Sequence, residues 1–309
     1  MLILFHDTLW GMPLNTALAT EGVEFSTDRG RFEEADAVVF HIPEWPAERI
    51  IAHAPWEWEL LPKKRQGQLW VAWSMECEVH FRLLSDMRFM QHFDLTMTYH
   101  LDADVPATYV PGGPMHEVAQ ALRSPRLPKR KEPLLVSFIS SGLDRSGRRN
   151  YLQELALELA IDSYGKFMNN QKLDTDSGHQ SKLETISQYK FTIAFENASR
   201  KDYVTEKLFQ ALMAGSVPVY LGAPNVNDFV PGEHCFIDAA DFESPRALAE
   251  YLKSLARDDD AYNAYFAWKQ KPFLAGFEKL QALEVKHPLT RLSELIKVRR
   301  AQTTPPNPG

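Results

Sequence analysis

The stretch from Phe191 to Gly222, FTIAFENASRKDYVTEKLFQALMAGSVPVYLG, constrains the fold of this chain more than any other. A mostly apolar strand, Phe191–Phe195, leads into a polar crossing and a helix from about Thr205 to Ala214. Gly215 stops the helix, and a second apolar strand follows at Val217–Leu221. Strands joined through a helix form a βαβ unit and lie parallel, with a right-handed crossover. At the carboxyl end of the first strand gather Glu196, Asn197, Arg200, Lys201, Asp202, Tyr203, Glu206 and Lys207. Open parallel sheets bind nucleotides at that edge. A helix opening at Thr205 offers backbone N–H groups and a positive dipole end to a phosphate, and Lys207 adds a full charge. The competing reading is a solvated connection with Thr205 as an ordinary N-cap.

The rest of the chain repeats the pattern. Leu2–Phe5, Ala37–His41, Leu69–Trp73 and Leu95–Tyr99 are compact apolar runs of the kind buried parallel strands show. Residues 124–133, SPRLPKRKEP, carry a proline-rich basic run that forbids a packed element and marks a solvated linker. From Leu134 the βα units resume, with helices expected at Ser181–Gln188 and Pro245–Ala256 and a strand at His234–Ile237. The expected fold class is α/β, two Rossmann-like βαβ domains facing a cleft. The expected division is 1–130, then 131–285, then 286–309 as a C-terminal helix and frayed tail. The amphipathic spacing of Leu292, Leu295 and Ile296 lets that helix pack back across the domain junction.

Of the 309 residues, 44% are hydrophobic and 24% charged, a soluble globular balance, and no apolar run approaches a membrane span. The N-terminal MLILFHDTLW has no basic n-region and does not read as a secretory signal. A net charge of −7 argues against a nucleic-acid partner. Cys77 and Cys235 fit a reducing compartment and make no zinc pattern. The expected location is cytoplasmic, with at most weak peripheral contact with the inner membrane through Lys297, Arg299 and Arg300.

The string FxxAFEN followed by DYVTEKLxxALxAGxVPVYxG resembles the signature of the α1,3/α1,4-fucosyltransferases, which use GDP-fucose. Flanking pieces resemble the same family: Val136–Ile139 with Ser140, the helix beginning Arg149-Asn-Tyr-Leu, Asp162-Ser-Tyr-Gly, and Phe93-Asp-Leu-Thr-Met-Thr-Tyr99. The resemblance runs from about Trp70 to Trp268, is weak over the first 65 residues and is absent from the tail. Its animal members carry a membrane anchor and Cys-rich tails, so the resemblance is to a bacterial-type soluble form. It implies the glycosyltransferase B architecture and inverting, metal-independent transfer of L-fucose from GDP-β-L-fucose to the 3-OH of N-acetylglucosamine or glucose. The implied acceptor is a glycan of N-acetyllactosamine or lactose type.

By position in the family motif, Glu76 is the implied general base. The family reads Glu-Ser-Pro or Glu-Asn-Pro there, whereas this chain has Glu76-Cys77-Glu78. Glu78 is therefore the rival carboxylate, and the two are expected to point to opposite faces. Arg149 is the implied pyrophosphate ligand, with Arg145 and Arg148 as neighbours, and Lys207 is the second. Glu196, Asn197, Tyr203 and Glu206 complete the donor set, with Tyr164 near the guanine. Asp174-Thr-Asp176 resembles the metal-binding Asp-x-Asp of other transferases but follows no strand; no metal or other cofactor is expected. Trp56, Trp58, Trp70 and Trp73 offer faces on which sugars rest, or are core. Two rival readings stand: a transferase of the same architecture using another nucleotide sugar, and a non-catalytic glycan-binding relative.

Overall fold

The computed structural model describes residues 1–45, 61–130 and 132–303; Trp56 and Trp58 lie outside them. The chain forms two compact units, one from Met1–Thr108 together with the segment from Lys286 onward, the other from Tyr109–Val285.

The first unit is a six-stranded parallel sheet ordered β2-β1-β3-β4-β5-β6. Its strands are β1 (Leu2–Phe5), β2 (Glu24–Ser26), β3 (Ala37–His41), β4 (Leu69–Ser74), β5 (Leu95–Thr98) and β6 (Val105–Pro106). LILF and AVVFH are buried at every position, which is why they read as unbroken apolar runs. Alternate residues face opposite sides of the sheet. Ile3, Phe5, Val39, Val71 and Met97 form one core, and Leu4, Val38, Phe40, Trp70 and Phe89 form the other. Helix α1 (Met87–Met90) lies between β4 and β5, and α2 (Met115–Leu122) follows β6 and already belongs to the second unit.

The second unit is a five-stranded parallel sheet ordered β11-β10-β9-β7-β8. Its strands are β7 (Leu135–Ser137), β8 (Ile161–Ser163), β9 (Phe191–Phe195), β10 (Val217–Leu221) and β11 (Ile237–Asp238). The helices between and after them are α3 (Arg148–Glu158), α4 (His179–Ile186), α5 (Glu206–Met213), α6 (Pro245–Leu255), α7 (Asp259–Ala264) and α8 (Ala275–Glu284). One face of the sheet packs Phe191, Ile193 and Phe195 against Leu152 and Leu155 of α3 and Leu248 and Leu252 of α6. Helix α4 starts two residues before the expected Ser181, and β11 starts three after the expected His234.

The boundary expected at 130 is corrected, whereas the second unit does end at Val285. Residues 109–130 belong to the second unit because side chains tie them there. Arg126 Nη1 donates to Asn263 Oδ1 at 2.7 Å, Lys129 Nζ to the Ser187 carbonyl at 2.6 Å, and Arg130 forks onto Gln188 Oε1. The basic run is irregular, as expected, but it is anchored rather than merely solvated.

The last helix, α9 (Pro288–Thr303), closes the first unit instead of forming a separate segment. Leu289, Leu292 and Ile296 enter the core of Ile3, Phe5 and Val71. Thr290 Oγ1 donates to the Leu18 carbonyl at 2.8 Å. The cations expected to meet a membrane are engaged within the unit: Lys297 Nζ donates to the Glu21 carbonyl, Arg299 pairs with Asp104, and Arg300 pairs with Asp36. Among the described residues no helix is long and apolar enough to cross a membrane. Leu292 is fully buried, so Leu292→Ala is expected to cost about 2–5 kcal/mol. The lost stability should appear as a lower urea midpoint for the first unit; a shift within error would place α9 outside its core.

Candidate active site

In the second unit, Glu196 directly follows β9 and is completely buried. Its carboxylate is committed on every side. Oε1 accepts the Thr205 N–H at 2.7 Å, and Oε2 accepts the Thr205 hydroxyl at 2.8 Å and Lys207 Nζ at 3.0 Å. The start of α5 is therefore capped by a carboxylate from nine residues upstream, and the Thr205 side chain makes no cap of its own. This corrects two expectations. The Thr205 N–H is not open to a phosphate, and Glu196 is a positioning residue rather than a substrate contact. Gly222 makes room for it: a Cβ there would stand 2.6 Å from Glu196 Cγ and 2.5 Å from Tyr220 Oη.

The positive charge at this edge resides on Lys207. Burial works against its ammonium, but the Glu196 and Glu206 carboxylates outweigh burial and hold its pKa above the usual lysine value. Its Nζ reaches Thr205 Oγ1 at 2.7 Å and Glu206 Oε1 at 3.3 Å, and the side chain stays partly exposed. Burial likewise opposes ionisation of Glu206, yet Lys207 and Lys182 keep its pKa below the ordinary range.

Among the three arginines, Arg148 is the one bonded to the end of β9. Helix α3 is capped by Asp144, whose Oδ1 accepts the Arg148 N–H and Oδ2 the Arg149 N–H. From the first position of α3 the Arg148 side chain turns inward and is 1% exposed. Its guanidinium donates to the carbonyls of Phe195, Ser141 and Leu143, while its Nε is buried with no partner among the described residues. It lies within electrostatic reach of Glu196 and Lys207. Arg149 instead lies over the Phe167 ring at 4.5 Å.

Asn197 is buried beside Glu196 with its Oδ1 unpartnered among the described residues, a polar atom suited to a bound hydroxyl. Tyr203 is 2% exposed and its ring packs edge-on to Tyr109, so its aromatic body is core. Tyr164 stacks on Phe138, with centroids 5.2 Å apart and planes 10° apart, and Lys182 Nζ lies 5.5 Å from the Phe138 centroid. Asp176 Oδ1 accepts the Gly178 N–H just before α4. Among the described residues, no group of three or more His, Cys, Asp or Glu side chains is placed to hold a metal.

In the first unit, β4 stops at Ser74 and the chain turns. Ser74 Oγ accepts the Glu76 N–H at 3.0 Å, and Glu76 and Glu78 line one cavity of about 250 Å³ with Thr96, Thr98, Tyr99 and His100. The expectation that the two carboxylates point apart fails. Residues two apart on a strand would share a face in any case, and here the backbone is a turn. Glu78 is bound on both sides: it accepts from the Tyr99 hydroxyl and faces His100 Nε2 at 3.4 Å. Burial would raise its pKa, but the His100 and Tyr99 hydrogen bonds bring it down to about 2. Trp70 and Trp73 are buried and are core, not sugar platforms.

The depressed Glu78 pKa has a stability consequence. Its folded value of about 2 lies below the ordinary 4.5, so the stabilisation is present above pH 4.5 and is lost as pH falls toward 2. Its size is on the order of 3 kcal/mol. Glu78→Gln is expected to shrink the stability difference between pH 7 and pH 3, measured by urea unfolding. An unchanged difference would mean that these contacts do not set the acid limb.

A profile of the glycosyltransferase family 10 (fucosyltransferase) C-terminal region matches residues 128–304, and one of the fucosyltransferase N-terminal region matches residues 2–110. The chain belongs to glycosyltransferase family 10, the fucosyltransferases. The 4-galactosyl-N-acetylglucosaminide 3-alpha-L-fucosyltransferase of Gorilla gorilla gorilla is 35% identical over 276 residues, covering 85% of this chain and 72% of the relative. A 3-galactosyl-N-acetylglucosaminide 4-alpha-L-fucosyltransferase of Bos taurus is 34% identical over 278 residues, covering 85% and 71%. Crystal structures of an alpha1,3-fucosyltransferase share the fold. The form with GDP gives a TM-score of 0.61 at 16% identity over 97% of this chain and 90% of that one. The form with GDP-fucose gives 0.57 at 17% identity over 91% and 88%.

This fucosyltransferase thus keeps the two parallel sheets of glycosyltransferase B proteins. Three residues near the expected donor set were not among the site residues implied by the sequence: Arg148, named there only as a neighbour of Arg149, Phe138 and Lys182. The α3 start gave a signal for Arg148, since adjacent helix positions point about 100° apart and only one of a pair can face inward. Lys182, 18 residues after Tyr164, the nearest expected site residue upstream, gave none.

Proposed function

We propose that this fucosyltransferase moves L-fucose from GDP-β-L-fucose to the 3-OH of N-acetylglucosamine, or glucose, in a lactosamine- or lactose-type glycan, with inversion and without a metal. The relatives' names supply the acceptor class, one specifying 3-linkage and another 4-linkage. The observation that carries the donor half is the protonated Lys207 beside Arg148 at the carboxyl edge of β9. Two fixed cations there would neutralise the diphosphate as the sugar–oxygen bond breaks. Asn197 and Glu206 would hold sugar or ribose hydroxyls, and the Tyr164–Phe138 stack offers a platform near the base.

On the acceptor side, the hydroxyl attacks the anomeric carbon, its proton passes to Glu76, and GDP departs from the opposite face. That single displacement inverts the centre through an oxocarbenium-like state. Glu76 suits the base role better than Glu78, because a carboxylate held near pKa 2 accepts protons poorly.

The test is incubation with GDP-fucose and a panel of lactose-type and lactosamine acceptors, with product linkage read by NMR. Formation of an α1,3-fucoside supports the reading. Release of UDP or CMP from other donors, with none of GDP, would overturn the donor assignment, and a 4-linked product would overturn the linkage.

A further inference from the structure

The second unit holds a cavity of about 270 Å³ that the transfer mechanism leaves unused. Leu134, directly before β7, and Lys190, directly before β9, form part of its wall, and Ala256 at the end of α6 forms another part. It therefore opens at the amino edge of the sheet, at the opposite strand ends from Lys207 and Arg148. Among the described residues lining it are five cations, Lys129, Arg130, Lys190, Lys253 and Arg257, and one carboxylate, Glu132. The cations come from three separate stretches of a chain whose net charge is −7, so the fold rather than the composition gathers them.

Helix ends account for part of this charge. Lys129 Nζ donates to the carbonyl of Ser187, the cap of α4, at 2.6 Å, and Lys190 Nζ to the carbonyl of Ala256, the cap of α6, at 2.7 Å. Those acceptors carry no formal charge. Arg130 has a carboxylate, Asp162, at 3.6 Å, and Lys190 has Asp259 at 3.5 Å, a largely exposed and therefore weak partner. Lys253 and Arg257 stand four residues apart where α6 ends, a spacing at which like charges repel. Among the described residues, neither side chain has a hydrogen-bond or ion-pair partner. The crowding shows at Lys129, where burial first, then Arg126 and Lys269, push the pKa down to about 7.

We propose that this cavity binds a doubly charged phosphate group, held by Lys253 and Arg257 at the end of α6 together with Arg130. Guanidinium groups suit two oxygens of one phosphate, and Lys253 adds a point charge. The ligand supplies the counter-charge that the protein leaves out. A free diphosphate and the phosphomonoester headgroup of a lipid present the same chemistry, and the test separates them. The site stands whether or not the chain transfers fucose.

Hydrogen exchange read by mass spectrometry tells this cavity from the donor edge, because it reports amides by position. At constant ionic strength, 1 mM inorganic pyrophosphate is expected to slow exchange over residues 187–190 and 253–258 about tenfold, the factor for a Kd on the order of 100 µM. Lys253→Gln combined with Arg257→Gln should abolish the slowing, whereas Lys253→Arg combined with Arg257→Lys should keep most of it. Neither pair of substitutions breaks a contact, so both proteins are expected to fold. Slowing by vesicles of phosphatidylcholine with phosphatidic acid, but not by pyrophosphate, and lost in the glutamine pair, assigns the cavity to a lipid headgroup. Slowing confined to residues 205–207 would place the anion at the donor edge alone and overturn the site. So would equal slowing in the glutamine pair and the wild type, or none from either probe.

Discussion

Glu76→Gln is expected to reduce fucosyl transfer by about 10³-fold while leaving GDP affinity within about twofold of wild type. The amide keeps the shape of the carboxylate and removes only its capacity to take the acceptor proton. Glu78 shares the cavity but cannot substitute, because Tyr99 and His100 hold it as a weakly basic carboxylate. Glu78→Gln should accordingly retain most of the turnover, its main cost falling on acid stability. The check is kcat by coupled GDP release alongside GDP affinity by calorimetry. Equal losses in both quantities would make Glu76 a structural residue, and full activity would move the base elsewhere in the cavity.

Glu196→Ala is expected to destabilise the second unit by about 3–5 kcal/mol, the cost of stranding a buried charge. Three groups lose their acceptor at once: the Thr205 N–H, the Thr205 hydroxyl and the Lys207 ammonium. Glu196→Gln should cost less, since its amide oxygen still accepts the Thr205 N–H. Adding Lys207→Met to Glu196→Gln should recover part of the loss by removing the unpaired cation. Urea unfolding of the three variants measures this. A Glu196→Ala loss below about 1 kcal/mol would contradict the buried pair.

The βαβ unit was legible because its determinants are local. FTIAF is buried along its length and VPVYL at all but its last residue, and Gly215 takes a positive φ of 67 where the chain must turn. What the sequence concealed was supplied from a distance. Thr205 looked like an N-cap because nothing in its neighbourhood announces that Glu196 will reach back to it. Arg148 and Arg149 are interchangeable as letters, and it is the carbonyls of Phe195, Ser141 and Leu143 that hold Arg148 inward. The proline-rich run was correctly read as irregular, but its allegiance is set by Gln188 and Asn263, far along the chain.

The placement of α9 has a consequence for how the chain is made. The core that contains Ile3 and Phe5 also needs Leu292 and Ile296, which leave the ribosome after the whole of 109–285. The unit begun first is therefore finished second, after the whole of 109–285 has emerged and had time to fold. Until then the sheet of the first unit lacks part of its apolar cover, and a chain truncated before Pro288 is expected to keep a sound second unit beside an unfinished first one.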